Sequence, residues 1–91
     1  MGSSARRYTI QITPAAERQL GKLSTVARRR VAVAIDQLAG DPRPPGVRAL
    51  QGGFGGLRIR VGDYRVLYEV DDKAALVLVV RVGHRRDVYD R

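Results

Sequence analysis

Leu57-Arg-Ile-Arg-Val-Gly-Asp-Tyr-Arg-Val-Leu-Tyr68 is the stretch whose reading decides the fold. Side chains alternate across a strand, so Leu57, Ile59 and Val61 share one face while Arg58 and Arg60 take the other. Gly62-Asp63 reads as a two-residue hairpin turn. With that turn, Val61 faces Tyr64 and Arg60 faces Arg65. Continued to residue 70, one face carries Leu57, Ile59, Val61, Tyr64, Val66, Tyr68 and Val70, the side that should meet helices. The other carries Arg58, Arg60, Arg65, Leu67 and Glu69. Like charges directly opposite one another destabilise a sheet. An anion such as a phosphate, seated between Arg60 and Arg65, would account for their placement.

Upstream of the hairpin, Gln51-Gly-Gly-Phe-Gly-Gly56 is a pliable loop in which Phe54 reads as a small plug. No Gly-Lys-Ser/Thr follows and the segment leads into a strand, so a phosphate-loop reading fails. Arg43-Pro-Pro-Gly46 is a stiff connector. Further back, residues 8–12 alternate as a strand, Thr13-Pro14 opens a helix, and Ser24 or Thr25 opens a second. Val31, Ala34, Ile35 and Leu38 form one apolar stripe on that second helix, which Gly40 and Asp41-Pro42 end. After the hairpin, Asp71-Asp72-Lys73 is a turn and residues 75–82 a last strand, which feeds residues 83–89 to the end of the sheet. The order strand, helix, helix, strand, strand, strand predicts an α+β domain. Its sheet is four-stranded and mainly antiparallel, with a helical hairpin over one face. Residues 1–7 read as a flexible leader and 8–91 as the domain.

The chain has 91 residues, 17 basic against 9 acidic, and a net charge of +8. At this size roughly three-fifths of the unfolded surface is buried, so the core is thin. Fifteen of the basic residues are arginine, whose planar fork suits bidentate phosphate contacts. A GC-rich coding sequence accounts for arginine over lysine but not for the excess charge; an anionic partner, nucleic acid or an acidic protein, does. The absence of cysteine excludes disulfides and thiolate metal sites and fits a reducing compartment. The longest apolar run, Ala74-Ala-Leu-Val-Leu-Val-Val80, is too short to span a bilayer. A cytoplasmic protein with no membrane partner is the expectation.

The usual catalytic sets are missing. His84 is the lone histidine, and no Ser/His/Asp triad can be assembled. Asp71-Asp72 reads as turn residues rather than a metal site, and neither a metal nor a cofactor is expected. Glu69 is either a base or a salt-bridge partner of Arg58 or Arg65. What remains is an arginine set, with His84, Asp87 and Tyr89 close together in sequence. That set suits metal-free RNA cleavage, in which a ribose 2′-hydroxyl attacks its own phosphate and fixed guanidinium groups stabilise the charge that builds on the oxygens. A phenol at Tyr89 could stack on a base or orient the hydroxyl.

Leu50-x-Gly52, Leu57-Arg-Ile-Arg-Val61, Gly62-Asp-Tyr-Arg-Val-Leu-Tyr68 and Val82-Gly-His-Arg-x-Asp-Val-Tyr89 together resemble the RelE branch of the RelE/ParE toxins of bacterial toxin–antitoxin systems. The resemblance runs from Tyr8 to Tyr89. It implies a RelE-like fold and a ribosome-dependent mRNA endonuclease that cuts the codon in the aminoacyl site. A cognate antitoxin would hold it in a hetero-oligomer. By position, Arg58 and Arg60 fall where RelE toxins place two basic residues. Arg65 matches the phosphate-binding arginine, Arg85 the arginine after Val-Gly-x, and Tyr89 the tyrosine near the C-terminus. Several RelE proteins carry lysines at the first two positions, one of them assigned the 2′-hydroxyl proton. Arginine stays protonated in proteins, so Arg60 acts electrostatically or the base lies elsewhere. His84, with an ordinary pKa near ~6.5, takes that role if it faces the arginines; otherwise it is a solvated loop residue. Arg28 and Arg29 on the second helix are a solvated face or a contact to ribosomal RNA. Two other readings stay open: a ParE-like toxin that poisons DNA gyrase, and a catalytically silent protein that binds RNA or antitoxin.

Overall fold

Local signals set the helical layer. In the computed structural model, which describes residues 7–50 and 56–86, β1 (Thr9–Ile12) runs straight into α1 (Pro14–Gly21). The Thr13 hydroxyl accepts the Ala16 amide at 3.1 Å, and Pro14 occupies the first turn, where no amide donor is needed. Ser24 repeats the device for α2 (Thr25–Gln37), its hydroxyl accepting the Ala27 amide at 3.2 Å. The chain then crosses through Pro42–Gly46 to β2 (Arg48–Ala49), β3 (Gly56–Val61), β4 (Tyr64–Asp71) and β5 (Leu76–His84).

The sheet has five strands in the order β1-β5-β4-β3-β2. It is mainly antiparallel, as expected from sequence, and departs from the four-stranded sheet read there in two details. β1 lies parallel to β5, with Thr9 beside Leu76 and Ile12 beside Val79, so the sheet is mixed. The connector also returns along β3 to add a two-residue edge strand, too short to leave an alternation in the sequence. The hairpin register is the one read from the Gly62-Asp63 turn: Val61 faces Tyr64 and Arg60 faces Arg65. Gly62 sits at φ 60°, the left-handed region where glycine is at ease.

Ala16, Val31, Ile35 and Leu38 from the helices close on Ile59, Val66, Tyr68, Val77, Val79 and Val82 of the sheet. Three of the seven residues expected on the inward face of the hairpin are thus core, and Leu57, Val61, Tyr64 and Val70 pack against it partly buried. Leu67 lies on the other face and is buried all the same, so that face is not uniformly open.

One irregularity in β5 sets which side its last residues take. Leu67 is opposite Arg81, but Tyr68 is opposite Val79, so Val80 is an extra residue in the ladder. Such a bulge shifts the alternation by one. Val77 and Val79 point to the helices, and so does Val82 rather than Arg81; Val82 is buried and Arg81 exposed. The amide of Val82, beyond the end of β1, donates to the Gln19 side-chain oxygen of α1 at 2.7 Å.

Candidate nucleic-acid interface

Two cross-strand arginine pairs meet at the β2–β3–β4 side of the sheet. Arg60 is opposite Arg65, and Arg48 of β2 is opposite Arg58. With Gly46 and Ile59, these four arginines line a cleft of about 260 Å³. Directly opposed strand residues sit with Cα atoms roughly 4.5–5.5 Å apart, and like charges so opposed are destabilising. A phosphate between two guanidinium forks turns that repulsion into charge-assisted hydrogen bonds. Gly46, at φ 88°, makes the bend that brings the connector to the cleft's rim.

Arg58, Arg60 and Arg65 are thus brought together as expected, and Arg48 joins them. Sequence reasoning missed Arg48. Its only signals are the apolar residues Val47 and Leu50 on either side, which mark too short a segment to read as a strand.

The other sequence-predicted residues separate. His84 is paired with Tyr64, and the two rings meet edge to face at 5.7 Å. Tyr64 shares the helix-side face with Val66 and Tyr68, so the bulge at Val80 places His84 across the sheet from the arginine cleft. The sequence makes His84 the base if it faces the arginines; it faces the helix side instead, which corrects that assignment. The His84 Nδ1 accepts the Arg86 amide at 3.2 Å, a turn contact. Arg85 is tied to the hairpin turn. Its amide donates to the Asp63 carbonyl at 2.8 Å and its guanidinium lies 4.0 Å from the Asp63 carboxylate. It stands at the end of the hairpin rather than among the cleft-lining residues. Arg28 and Arg29 are exposed on α2, in the layer on the far side of the sheet. Arg30, beside them, reaches the hairpin turn, its guanidinium 3.5 Å from where a side chain on Gly62 would begin. Phe54, Asp87 and Tyr89 lie outside the described residues.

The acids of the β4–β5 turn have structural partners. The Asp71 carboxylate accepts the Ala74 amide at 3.0 Å, as a turn aspartate does. Asp72 takes two hydrogen bonds from the Arg43 guanidinium, at 3.1 and 3.2 Å, and one from the Tyr8 hydroxyl at 2.6 Å. That contact holds the Arg43 guanidinium above its ordinary pKa. Burial pushes the Tyr68 phenol up to about 12, against an opposing pull from Arg43 and with a smaller push from Asp41. Its hydroxyl donates to the Pro42 carbonyl at 2.7 Å. Among the described residues, no three His, Asp or Glu side chains cluster as metal ligands. No helix there is long and apolar enough to cross a membrane.

A mixed sheet under a helical hairpin, with opposed arginines on its hairpin strands, defines a class that comparison with known proteins identifies. Residues 10–89 match the family model for the ParE toxin of the type II toxin–antitoxin system, and the chain belongs to this RelE/ParE toxin superfamily. Among relatives, Toxin RelG of Mycobacterium tuberculosis is 38% identical over 88 residues, spanning 92% of this chain and 98% of that protein. The toxin–antitoxin complex RelBE2 from Mycobacterium tuberculosis contains a chain that superposes with a TM-score of 0.78 at 33% identity. The match covers 88% of this chain and 93% of that one. The archaeal RelE–RelB complex from Pyrococcus horikoshii gives the same TM-score at 28% identity, over 90% of this chain and 99% of its counterpart. The protein is a toxin of a type II toxin–antitoxin system.

Proposed function

We propose that this toxin is an mRNA endonuclease that acts on the ribosome, cutting the codon in the aminoacyl site without a metal or cofactor. The single observation that carries the reading is the pair of opposed arginine couples, Arg60 with Arg65 and Arg48 with Arg58, around one cleft. In the proposed reaction the ribose 2′-hydroxyl loses its proton to water and attacks the adjacent phosphorus, a 2′,3′-cyclic phosphate forms, and the 5′-oxygen of the next nucleotide leaves with a proton taken from water. Negative charge on the non-bridging oxygens rises towards the transition state, and guanidinium groups already fixed in place stabilise it without reorganising. Arg60 and Arg65 carry that role, with Arg58 and Arg48 holding the flanking backbone. Arg85 and Tyr89 enter through their match to the RelE motif. Arginine supplies charge rather than a proton acceptor, and His84, on the helix side, is not the base. The named relatives are a RelG toxin and the toxins of RelE–RelB complexes, which supports a cognate antitoxin as the partner in a hetero-oligomer; action on ribosomes would place the protein in the cytoplasm.

Primer extension on a reporter mRNA in a bacterial translation extract tests the reading, using the protein and its Arg65→Ala variant. Codon-phased cuts that require both ribosomes and Arg65 establish the nuclease. A folded Arg65→Ala protein that still cuts refutes the site. The family model's own description, ParE, favours a second reading as a DNA gyrase poison. An intact message together with gyrase-dependent DNA breaks would select it. An intact message with neither activity would mark a silent binder of RNA or antitoxin.

A further inference from the structure

β2 is two residues long, both exposed, and it sets Arg48 against Arg58. Neither its length nor its charge would keep such a segment on a sheet edge. On its C-terminal side, the Leu50 amide donates to the Gly56 carbonyl at 2.9 Å, and the Leu50 side chain lies over Gly56. On its N-terminal side, the hold comes from residues far away in sequence. The Tyr68 hydroxyl takes the Pro42 carbonyl, and Asp72 takes the Arg43 guanidinium by both nitrogens. Asp72 is itself fixed by the Tyr8 hydroxyl. From Arg43 to Arg48 the chain has little slack. Two consecutive prolines fix φ, and the Val47 amide closes a turn onto the Pro44 carbonyl at 3.1 Å.

We propose that Asp72 is a positioning residue for the arginine cleft: through Arg43 it anchors the connector that delivers Arg48 to its place opposite Arg58. Asp72 follows directly on β4, at the end of that strand opposite to Arg65. The pair is bidentate, which fixes direction as well as distance. A single lost contact at the β4–β5 turn therefore loosens an arginine on the far side of the sheet, while the core strands β4 and β5 stay as they are.

The part of this that concerns RNA rests on the proposed function, so the test has one readout independent of it. Amide hydrogen exchange is followed at Leu50, with Val66 and Val77 as core references, in the wild type, Asp72→Asn and Asp72→Glu. Exchange at Leu50 should rise by about 2- to 5-fold in Asp72→Asn, as suits an exposed ion pair, with the core amides unchanged, as a local opening leaves them, and Asp72→Glu should restore it. Leu50 exchange at the wild-type rate in Asp72→Asn overturns the proposal, and so does a uniform rise that includes Val66 and Val77. The second readout is binding of a short single-stranded RNA, for Arg48→Gln, Asp72→Asn and the double variant. Both single changes should weaken binding, Arg48→Gln the more. The double variant should bind no worse than Arg48→Gln alone, because residues acting through one another are not additive. Only loss of Arg48 removes a phosphate contact outright, lowering the salt slope by about 0.7. Full additivity overturns the link to Arg48. A wild type that binds no RNA refutes the nuclease reading alone, and Leu50 exchange then decides the role of Asp72.

Discussion

Arg60→Gln should make the protein more stable and less able to bind its anion. Arg60 is exposed and directly opposite Arg65. Two unit charges held at the separation of the opposed backbones, about 5 Å, repel in water by roughly 0.8 kcal/mol, and like charges directly opposite on strands are destabilising. Glutamine keeps most of the stem and the strand geometry while removing the charge. The expected gain is therefore on the order of 0.5–1 kcal/mol at low ionic strength. For a domain of this size, about 1 kcal/mol moves the melting temperature by roughly 4–8 °C, so a rise of about 2–8 °C should be seen. In 1 M salt, where the screening length falls to about 3 Å, the difference should shrink towards zero. Pyrophosphate should raise the wild-type midpoint more than that of Arg60→Gln, because an anion that binds only the folded state stabilises it. Calorimetry or a fluorescence melt at two ionic strengths is sufficient. An Arg60→Gln midpoint at or below wild type in low salt would refute the claim that Arg60 and Arg65 repel one another across the hairpin. Equal pyrophosphate shifts in the two proteins would refute its use for anions.

The remaining predictions concern the frame around the cleft. Tyr68 is protonated in the folded state up to about pH 12 but titrates near 10 when unfolded. The unfolded chain thus loses its proton first, and stability falls as pH rises from 10 to 12, by on the order of 2–3 kcal/mol. Tyr68→Phe loses the bond to Pro42, about 1 kcal/mol, yet should show a flatter decline over that pH window in urea melts; an identical slope would contradict the assignment. Gln19→Leu strips the Val82 amide of its acceptor and should lower stability by about 1–3 kcal/mol. An unchanged denaturation midpoint would count against it. His84→Ala should lose the edge contact with Tyr64, about 0.5–1.5 kcal/mol, while leaving codon-phased cleavage intact. Loss of cleavage in a folded His84→Ala protein would place the histidine back in the reaction.

The hairpin was the most legible part of the chain because two local rules agreed there. Gly62-Asp63 fixed the turn, and strict alternation of apolar and basic residues fixed the faces, so the pairing of Arg60 with Arg65 followed from residues close together in sequence. The helix starts were equally plain, since Thr13-Pro14 and Ser24 satisfy their own first amides. Arg48 was not legible: β2 is held by Tyr68, Asp72 and Gly56, and none of those contacts leaves a pattern in Val47-Arg48-Ala49-Leu50. The side taken by His84 was hidden for another reason. Val79-Val80-Arg81-Val82 does break alternation, but the sequence does not say where the ladder absorbs the break. Leu67 reads as open by alternation and is buried. The parallel pairing of β1 with β5 is likewise long-range, with no turn between the two strands to announce it.

The extra residue at Val80 also makes β5 unusually forgiving of changes in length. In a regular central strand, removing one residue turns everything beyond it to the wrong side, so such deletions are ruinous. Here Val79 and Val82 both face the helices across two intervening residues, and removing Val80 would leave a straight ladder with Val79, Val82 and His84 still on their present side. The middle of this sheet therefore contains a place where the gene can lose a codon without reassigning a single side chain downstream. Relatives that differ in length at this point can still present the same residues to the same partners.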